Sequence, residues 1–166
     1  MSDYFRKVKT PSVSVAKYYT PERIAKLDWH DLPGYQVNEI PRQVLLNESF
    51  FQDLDNKFGL AGAGLLKWPS MISYFWHEDG DRNATINMQI SYDGHSHTLF
   101  GNKKSDWHMD IEELVYEPGY FYLFNTQQPH EMINLGTDRY LFTTRITADP
   151  TYEELLEWAV ANGWAD

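Results

Sequence analysis

From Leu65 onward apolar and polar residues alternate with a period of two, and the alternation persists for about eighty residues. In extended backbone successive side chains point to opposite faces, so the pattern predicts strands with one covered side. The expected strands are 71–77, 84–92, 97–100, 111–116, 120–124, 131–135 and 139–147. Turn-forming residues separate them at Asp79-Gly80-Asp81, Asp93-Gly94, Gly101-Asn102, Glu117-Pro118-Gly119 and Leu135-Gly136-Thr137-Asp138. Many short strands divided by regular turns make a mainly β chain, a sandwich or barrel.

The flanking segments read differently. A strand is expected over 12–19, where Val13 and Val15 alternate with serines. Thr20 followed by Pro21 opens a short helix reaching Leu27 or Trp29, and Asp31-Leu32-Pro33-Gly34 breaks it. A strand at 35–40 closes at Pro41. Asn47 then caps a helix whose Phe50, Phe51, Leu54 and Phe58 share one face, stopping at Gly59. The small residues at 60–64 read as a flexible connector. Thr151 with Glu154 has the capping-box form and starts a C-terminal helix carrying Leu155, Leu156, Trp158 and Val160. No repeat is present. The expectation is one domain: strands and helices over 1–64, a β core over 65–148 and a helix over 149–166.

Composition narrows the chemistry. The chain has no cysteine, which excludes disulfides, thiolate zinc sites, iron–sulfur clusters and cysteine nucleophiles, and favours a reducing compartment. With a polar N-terminus and no apolar run of about 18 residues, the expectation is a cytoplasmic protein with no membrane partner. A formal charge of -10 disfavours nucleic acid, whose backbone needs clustered Lys and Arg, and Lys103-Lys104 reads as a solvated loop tip.

Chemistry concentrates at His77-Glu78-Asp79 and His130. On a strand, His77 and Asp79 project to the same side, and His130 adds a second imidazole. Two imidazoles and one carboxylate form an open metal site of the kind non-haem Fe(II) oxygenases use, with vacant positions for a chelating co-substrate and O₂. Asn83, Thr85, Asn87, Gln89 and Ser91 share one face of a strand; they either meet water or line a wet cavity. Arg139, Leu141, Thr143 and Arg145 share a face of another. A guanidinium at Arg139, beside His130 across a short loop, suits the far carboxylate of a diacid; Arg145 is the competing anchor.

The pattern His77-x-Asp79, Asn87, Pro118-Gly119, His130-x-x-x-Asn134 and Arg139 resembles the iron(II)- and 2-oxoglutarate-dependent oxygenases. The likeness runs over about 71–147 and is nearest to small members similar to prolyl and aspartyl hydroxylases. The resemblance implies a double-stranded β-helix, a jelly-roll or cupin-like barrel of about eight antiparallel strands, with flanking N-terminal helices. It implies iron at His77, Asp79 and His130, and 2-oxoglutarate held by Arg139. The reaction implied is hydroxylation of a small-molecule or peptide substrate, with 2-oxoglutarate and O₂ giving succinate and CO₂. Tyr74, Asn87, Thr143 and Asn134 are the further co-substrate contacts it suggests. This chain departs from the pattern in its second arginine, Arg145, and in a histidine-rich stretch, Gly94-His95-Ser96-His97 and Trp107-His108-Met109-Asp110.

Rival sites are weaker. His108-x-Asp110 lies too close to His130 to leave room for intervening strands. His95-x-His97 lacks the glutamate and glycine spacing of a first cupin motif, although a cupin-like metal protein, an isomerase or a non-catalytic ligand-binding barrel, is the alternative to an oxygenase. Asp79-Gly80-Asp81 lacks the later ligands of a calcium loop. No nucleophile elbow, P-loop or dinucleotide fingerprint occurs.

Overall fold

The computed structural model describes residues 2–91 and 94–166. In chain order the elements are β1 (Phe5–Pro11), α1 (Ser14–Tyr18), α2 (Pro21–Ile24), β2 (His30–Leu32), β3 (Tyr35–Glu39), α3 (Arg42–Leu45), α4 (Ser49–Phe58) and β4 (Leu60–Trp68). There follow β5 (Ile72–His77), β6 (Ala84–Gln89), β7 (Ser96–Ser105), β8 (His108–Glu113), β9 (Tyr120–Asn125), β10 (His130–Asn134), β11 (Arg139–Ile146) and α5 (Tyr152–Ala161). The strands form a seven-stranded sheet, β1-β9-β6-β11-β4-β3-β2, and a four-stranded sheet, β5-β10-β7-β8. Every pairing is antiparallel. No helix among the described residues is long and apolar enough to cross a membrane.

Two apolar clusters result. The larger covers the outer face of the seven-stranded sheet, where Ala84, Ile86, Met88 and Phe142 meet Phe50, Phe51 and Leu54 of α4 and Leu155 of α5. Ring contacts of Phe51 with Phe121 at 4.9 Å and with Phe142 at 6.1 Å fasten helix to sheet. The smaller cluster, with Trp68, Phe100, Phe124, Met132 and Leu141, fills part of the space around the facing sheet. The polar residues of β6 are therefore not half-exposed: Thr85, Asn87 and Gln89 are as buried as their apolar neighbours. A strand buried on both faces with one polar face needs partners for that face inside the protein.

Several elements differ from the sequence pattern for identifiable reasons. Residues 12–19 are mostly helix, because Glu48, distant in sequence, caps it. Its Oε1 accepts from the Ser12 hydroxyl (2.7 Å) and from the backbone N–H groups of Val13, Ser14 and Val15 (3.1, 2.8 and 3.2 Å). These are donors that a first helical turn leaves unsatisfied. Glu48, not Asn47, occupies the N-cap position of α4 and makes no side-chain cap there. The connector expected at 60–64 is instead the first half of β4, paired with both β3 and β11. At Gly64 a Cβ would lie 2.8 Å from the Asn38 carbonyl oxygen, so glycine there allows the close approach of β3. The turn expected at Gly101-Asn102 does not form; β7 runs through it. A Cβ on Gly101 would meet the Trp76 ring at 2.8 Å. β8 consequently begins before the expected 111–116, and the expected Asp93-Gly94 turn, like Tyr92 at the end of its strand, falls partly outside the described residues.

Replacing Glu48 by alanine should destabilise the protein by about 1–2 kcal/mol, the upper range for losing a helix cap. The loss should appear as a lower urea midpoint at unchanged slope; a variant as stable as the wild type would show that α1 does not depend on this carboxylate.

Candidate metal centre

His77 and His130 face each other directly across the β5–β10 ladder. Between His77/His130 and Tyr74/Met132 the register shifts, because β5 carries one more residue than β10. This bulge turns His77 to the same face as Tyr74, whose ring sits edge-on to it at 4.5 Å. The two imidazoles are 4.2 Å apart between centroids. On its other side β10 pairs with β7, and Phe100 and Phe124 pack on His130 at 6.0 and 5.0 Å.

The backbone sets both tautomers. His77 Nδ1 lies 2.6 Å from the Phe75 carbonyl and His130 Nδ1 lies 2.9 Å from the Gln128 carbonyl. A carbonyl only accepts, so each Nδ1 carries a hydrogen, which in the neutral ring leaves Nε2 with the lone pair. Both lone pairs face Asp79 Oδ1, at 3.6 Å from His77 and 3.8 Å from His130. One donor atom from each of the three residues lies within 4.8 Å of the others, the only such group among the described residues. Burial, aided by the charges of His77 and Arg82, pushes the His130 imidazole down to about 4 against its contact with the Gln128 carbonyl and the pull of Asp79. A neutral imidazole at neutral pH is the form that ligates a cation. The donor set thus fits a divalent metal.

Asp79 is fixed from several sides. Its N–H donates to the Thr126 carbonyl (2.9 Å) and its carbonyl accepts from Gln127 Nε2 (2.8 Å). Its second carboxylate oxygen, Oδ2, accepts from Arg82 Nε at 2.6 Å. Arg82 was not among the residues the sequence pattern singled out; the signal for it was a cation three positions after an Asp in a tight turn.

Behind the triad, between the sheets, lies a cavity of about 110 Å³. Arg139 closes it. Its side chain is 2% exposed, its Nη2 donates to Thr98 Oγ1 (2.7 Å) and its Nη1 to the His97 carbonyl (3.3 Å). The guanidinium lies between the rings of Trp68 and Tyr116, 6.0 and 5.9 Å from their centroids. Its Nε has no partner, nor have the buried Tyr116 hydroxyl and Asn87 Oδ1, and among the described residues no carboxylate pairs with it. Burial pushes the Tyr116 phenol up to about 12, with Arg139 opposing, so it stays protonated. Tyr116, Thr98 and Trp68 were also missed: Tyr116 follows a β8 that begins before the expected strand, Thr98 lies on β7, and Trp68 ends β4, whose first half reads as a connector.

The remaining expected residues divide. Tyr74, Asn87 and Thr143 line this cavity with the triad and Arg139. Thr143 Oγ1 accepts from Arg82 (3.2 Å) and contacts Thr85 Oγ1 (3.1 Å). Asn134 does not line it: at the far end of β10 its amide donates to the Pro69 and Thr137 carbonyls, both at 2.8 Å, and fastens a turn. Arg145 is exposed at the mouth and pairs with Asp81. The rival histidines stand apart: His108 pairs with Asp110 (3.0 Å) on an exposed strand, and His97 with Glu113 (2.7 Å).

No family model and no curated protein matches the chain. Solved structures do. A prolyl-4-hydroxylase of Pseudomonas putida is similar over 87% of this chain and 93% of its own, at 13% identity and a TM-score of 0.62. HygX of Streptomyces hygroscopicus, solved with nickel, 2-oxoglutarate and hygromycin B, is similar over 84% and 81%, at 12% identity and 0.61. SnoN, a non-haem α-ketoglutarate-dependent epimerase of nogalamycin biosynthesis, is similar over 86% and 76%, at 12% identity and 0.58. Likeness at this identity establishes the fold, the double-stranded β-helix.

The depressed His130 value has a consequence for the metal-free protein. Unfolded, His130 takes up a proton near pH 6.5; folded, it does so only near pH 4. Stability contributed by its neutral form is therefore present above pH 6.5 and falls as pH drops toward 4. Urea midpoints measured in chelator across this range should decline in the wild type and decline less in His130→Asn; parallel profiles would contradict the assignment.

Proposed function

We propose that the chain is an iron(II)- and 2-oxoglutarate-dependent dioxygenase that hydroxylates a small-molecule or peptide substrate. The observation that carries this reading is one cavity with two ends: three converging ligand atoms at one, and at the other a buried guanidinium without a counter-ion. An unpaired buried charge is costly, and a site that keeps one is built for an anion. A diacid spanning the cavity places one carboxylate on Arg139 and leaves its oxo-acid end for the triad. The unpartnered Arg139 Nε–H and Tyr116 hydroxyl are donors for that carboxylate, each charge-assisted contact contributing roughly 1.5–3 kcal/mol.

When bound, iron supplies the redox chemistry that couples O₂ and the conversion of 2-oxoglutarate to succinate and CO₂ to oxidation of the substrate. The protein's residues do the rest. His77 and His130 orient their Nε2 lone pairs through their backbone contacts, and Asp79 supplies the one anionic ligand. Trp68, Met132 and Leu141 keep water from the inner chamber. Substrate reaches the triad through an open groove of about 820 Å³ that also borders His77, Asp79 and Tyr74. Its wall includes Gly62, where a side chain would meet open space rather than packed atoms. The three guanidiniums facing this groove are already paired, Arg42 with Asp55, Arg82 with Asp79 and Arg145 with Asp81. Among the described residues lining the groove no unpaired guanidinium is left for a phosphate backbone, which supports a small molecule or peptide over nucleic acid.

Anaerobic protein loaded with Fe(II) should develop a weak visible charge-transfer band on adding 2-oxoglutarate, and O₂ should then yield succinate. Failure of both with iron content verified overturns the reading; metal binding indifferent to 2-oxoglutarate would point to a cupin-like metal protein instead. His130→Ala and Asp79→Ala should lose the iron. Arg139→Ala should keep it and weaken 2-oxoglutarate roughly 100-fold, the loss of one to two charge-assisted hydrogen bonds; if Arg145→Ala does so instead, the anchor is misassigned.

A further inference from the structure

A carboxylate can ligate through one oxygen or two, and the second mode would take a position that a chelating co-substrate needs. In this site the two oxygens of Asp79 are not equivalent. Oδ1 faces both imidazole lone pairs. Oδ2 instead accepts a hydrogen bond from Arg82 Nε at 2.6 Å.

Arg82 is itself held at both ends. Its Nη1 donates to Thr143 Oγ1 (3.2 Å) and to the Thr144 carbonyl (3.3 Å) on β11. Its carbonyl accepts from the Thr126 hydroxyl (2.6 Å) and from Gln127 Nε2 (2.8 Å) in the turn that leads to His130. Among the described residues Asp79 is its one acidic partner. The side chain is therefore a strut between Asp79 and the larger sheet, on a backbone pinned to the turn before His130, and swinging away from Oδ2 requires breaking its contacts to β11.

We propose that Arg82 is a positioning residue that confines Asp79 to ligation through Oδ1 and thereby keeps a coordination position free for the co-substrate. This rests on the metal reading of the triad. Two effects of removing the guanidinium compete for metal affinity: Asp79 loses its orientation, but the site loses a nearby positive charge and gains a second ligand oxygen. The metal is therefore retained, and the loss falls on whatever must chelate it. Lysine at 82 offers a point charge that cannot bridge Asp79 and Thr143 in the same fork, so it restores the function only in part.

The test compares wild type, Arg82→Gln and Arg82→Lys. Mn(II) affinity is read by electron paramagnetic resonance, and 2-oxoglutarate and oxalate are titrated against the anaerobic Fe(II) protein. Oxalate spends both of its carboxylates on chelation and has no further group for Arg139, so it reports the coordination positions alone. The expected result is Mn(II) bound by Arg82→Gln within about tenfold of wild type. Both chelators should weaken by a similar factor of about tenfold or more, with Arg82→Lys between. Wild-type titrations in Arg82→Gln overturn the proposal. So does weakening of 2-oxoglutarate alone, which would place Arg82 at the anchor end. So does loss of Mn(II) from both variants with melting temperatures preserved, which would make Arg82 necessary for ligation itself. A variant that fails to fold in the Gln form leaves the Lys form to decide by the same ratio of the two chelators. If the wild type itself binds no Mn(II), the reading of the triad fails, and that outcome is distinct from each of these.

Discussion

The site depends on the antiparallel pairing of β5 with β10. That ladder sets His77 opposite His130, and the extra residue in β5 turns His77 inward. Without the bulge, strict alternation would place His77 on the face opposite Tyr74, toward the outside of the smaller sheet. The rest of the site follows from these few ladder positions. His130 is seated against Phe100 because β10 also pairs with β7, and Asp79 is reached because the chain leaves β5 into a turn that the segment after β9 stitches down.

Much of this was legible in the sequence because it is local. Period-two alternation located β5, β6, β9, β10 and β11, and the helix ends follow from residues beside the helices they bound, the hydroxyls of Thr20 and Thr151 and the positive φ of Gly59. The convergence of His77, Asp79 and His130 and the burial of Arg139 were readable as residue types at spacings that a strand and a hairpin convert into a shared face. What failed was non-local. Residues 12–19 carry a strand-like pattern and become helix because a carboxylate more than thirty residues away caps them. Residues 60–64 look like a linker and form a central strand because their small size lets β3 and β11 close on both sides. Asn134 has the spacing of a site residue but its amide is committed to the turn beside it.

Arg82 and Tyr116 show a different kind of limit. Each matters through what it faces, and neither belongs to a spacing that the pattern of ligands defines. Arg82 is an ordinary charged turn residue until β11 is folded across it; Tyr116 is an ordinary aromatic after β8 until its hydroxyl is buried beside Arg139. Residues of this kind become visible through buried polar atoms that have no partner, where these cluster in one cavity as at Arg139, Tyr116 and Asn87.

The division of the two apolar clusters explains why the cavity survives folding. A strand such as β6 is buried on both sides, and its apolar face alone is packed against α4 and α5. The helices supply the packing that the inner face does not, so Thr85, Asn87, Thr143 and Arg139 can remain polar without the sheet depending on them for its hydrophobic burial. The cost of burying them is limited by mutual hydrogen bonds: Thr85 Oγ1 donates to the Thr144 carbonyl at 2.7 Å and Thr144 Oγ1 accepts from the Ile86 N–H at 3.0 Å. Those contacts satisfy one end of the polar face. The end near Arg139 is left with unanswered polar atoms, an asymmetry along a single pair of strands. The same strands also carry Thr143, which ties Arg82 to the sheet, so the buried guanidinium of Arg139 and the contact that holds Arg82 beside Asp79 are set by one element, β11.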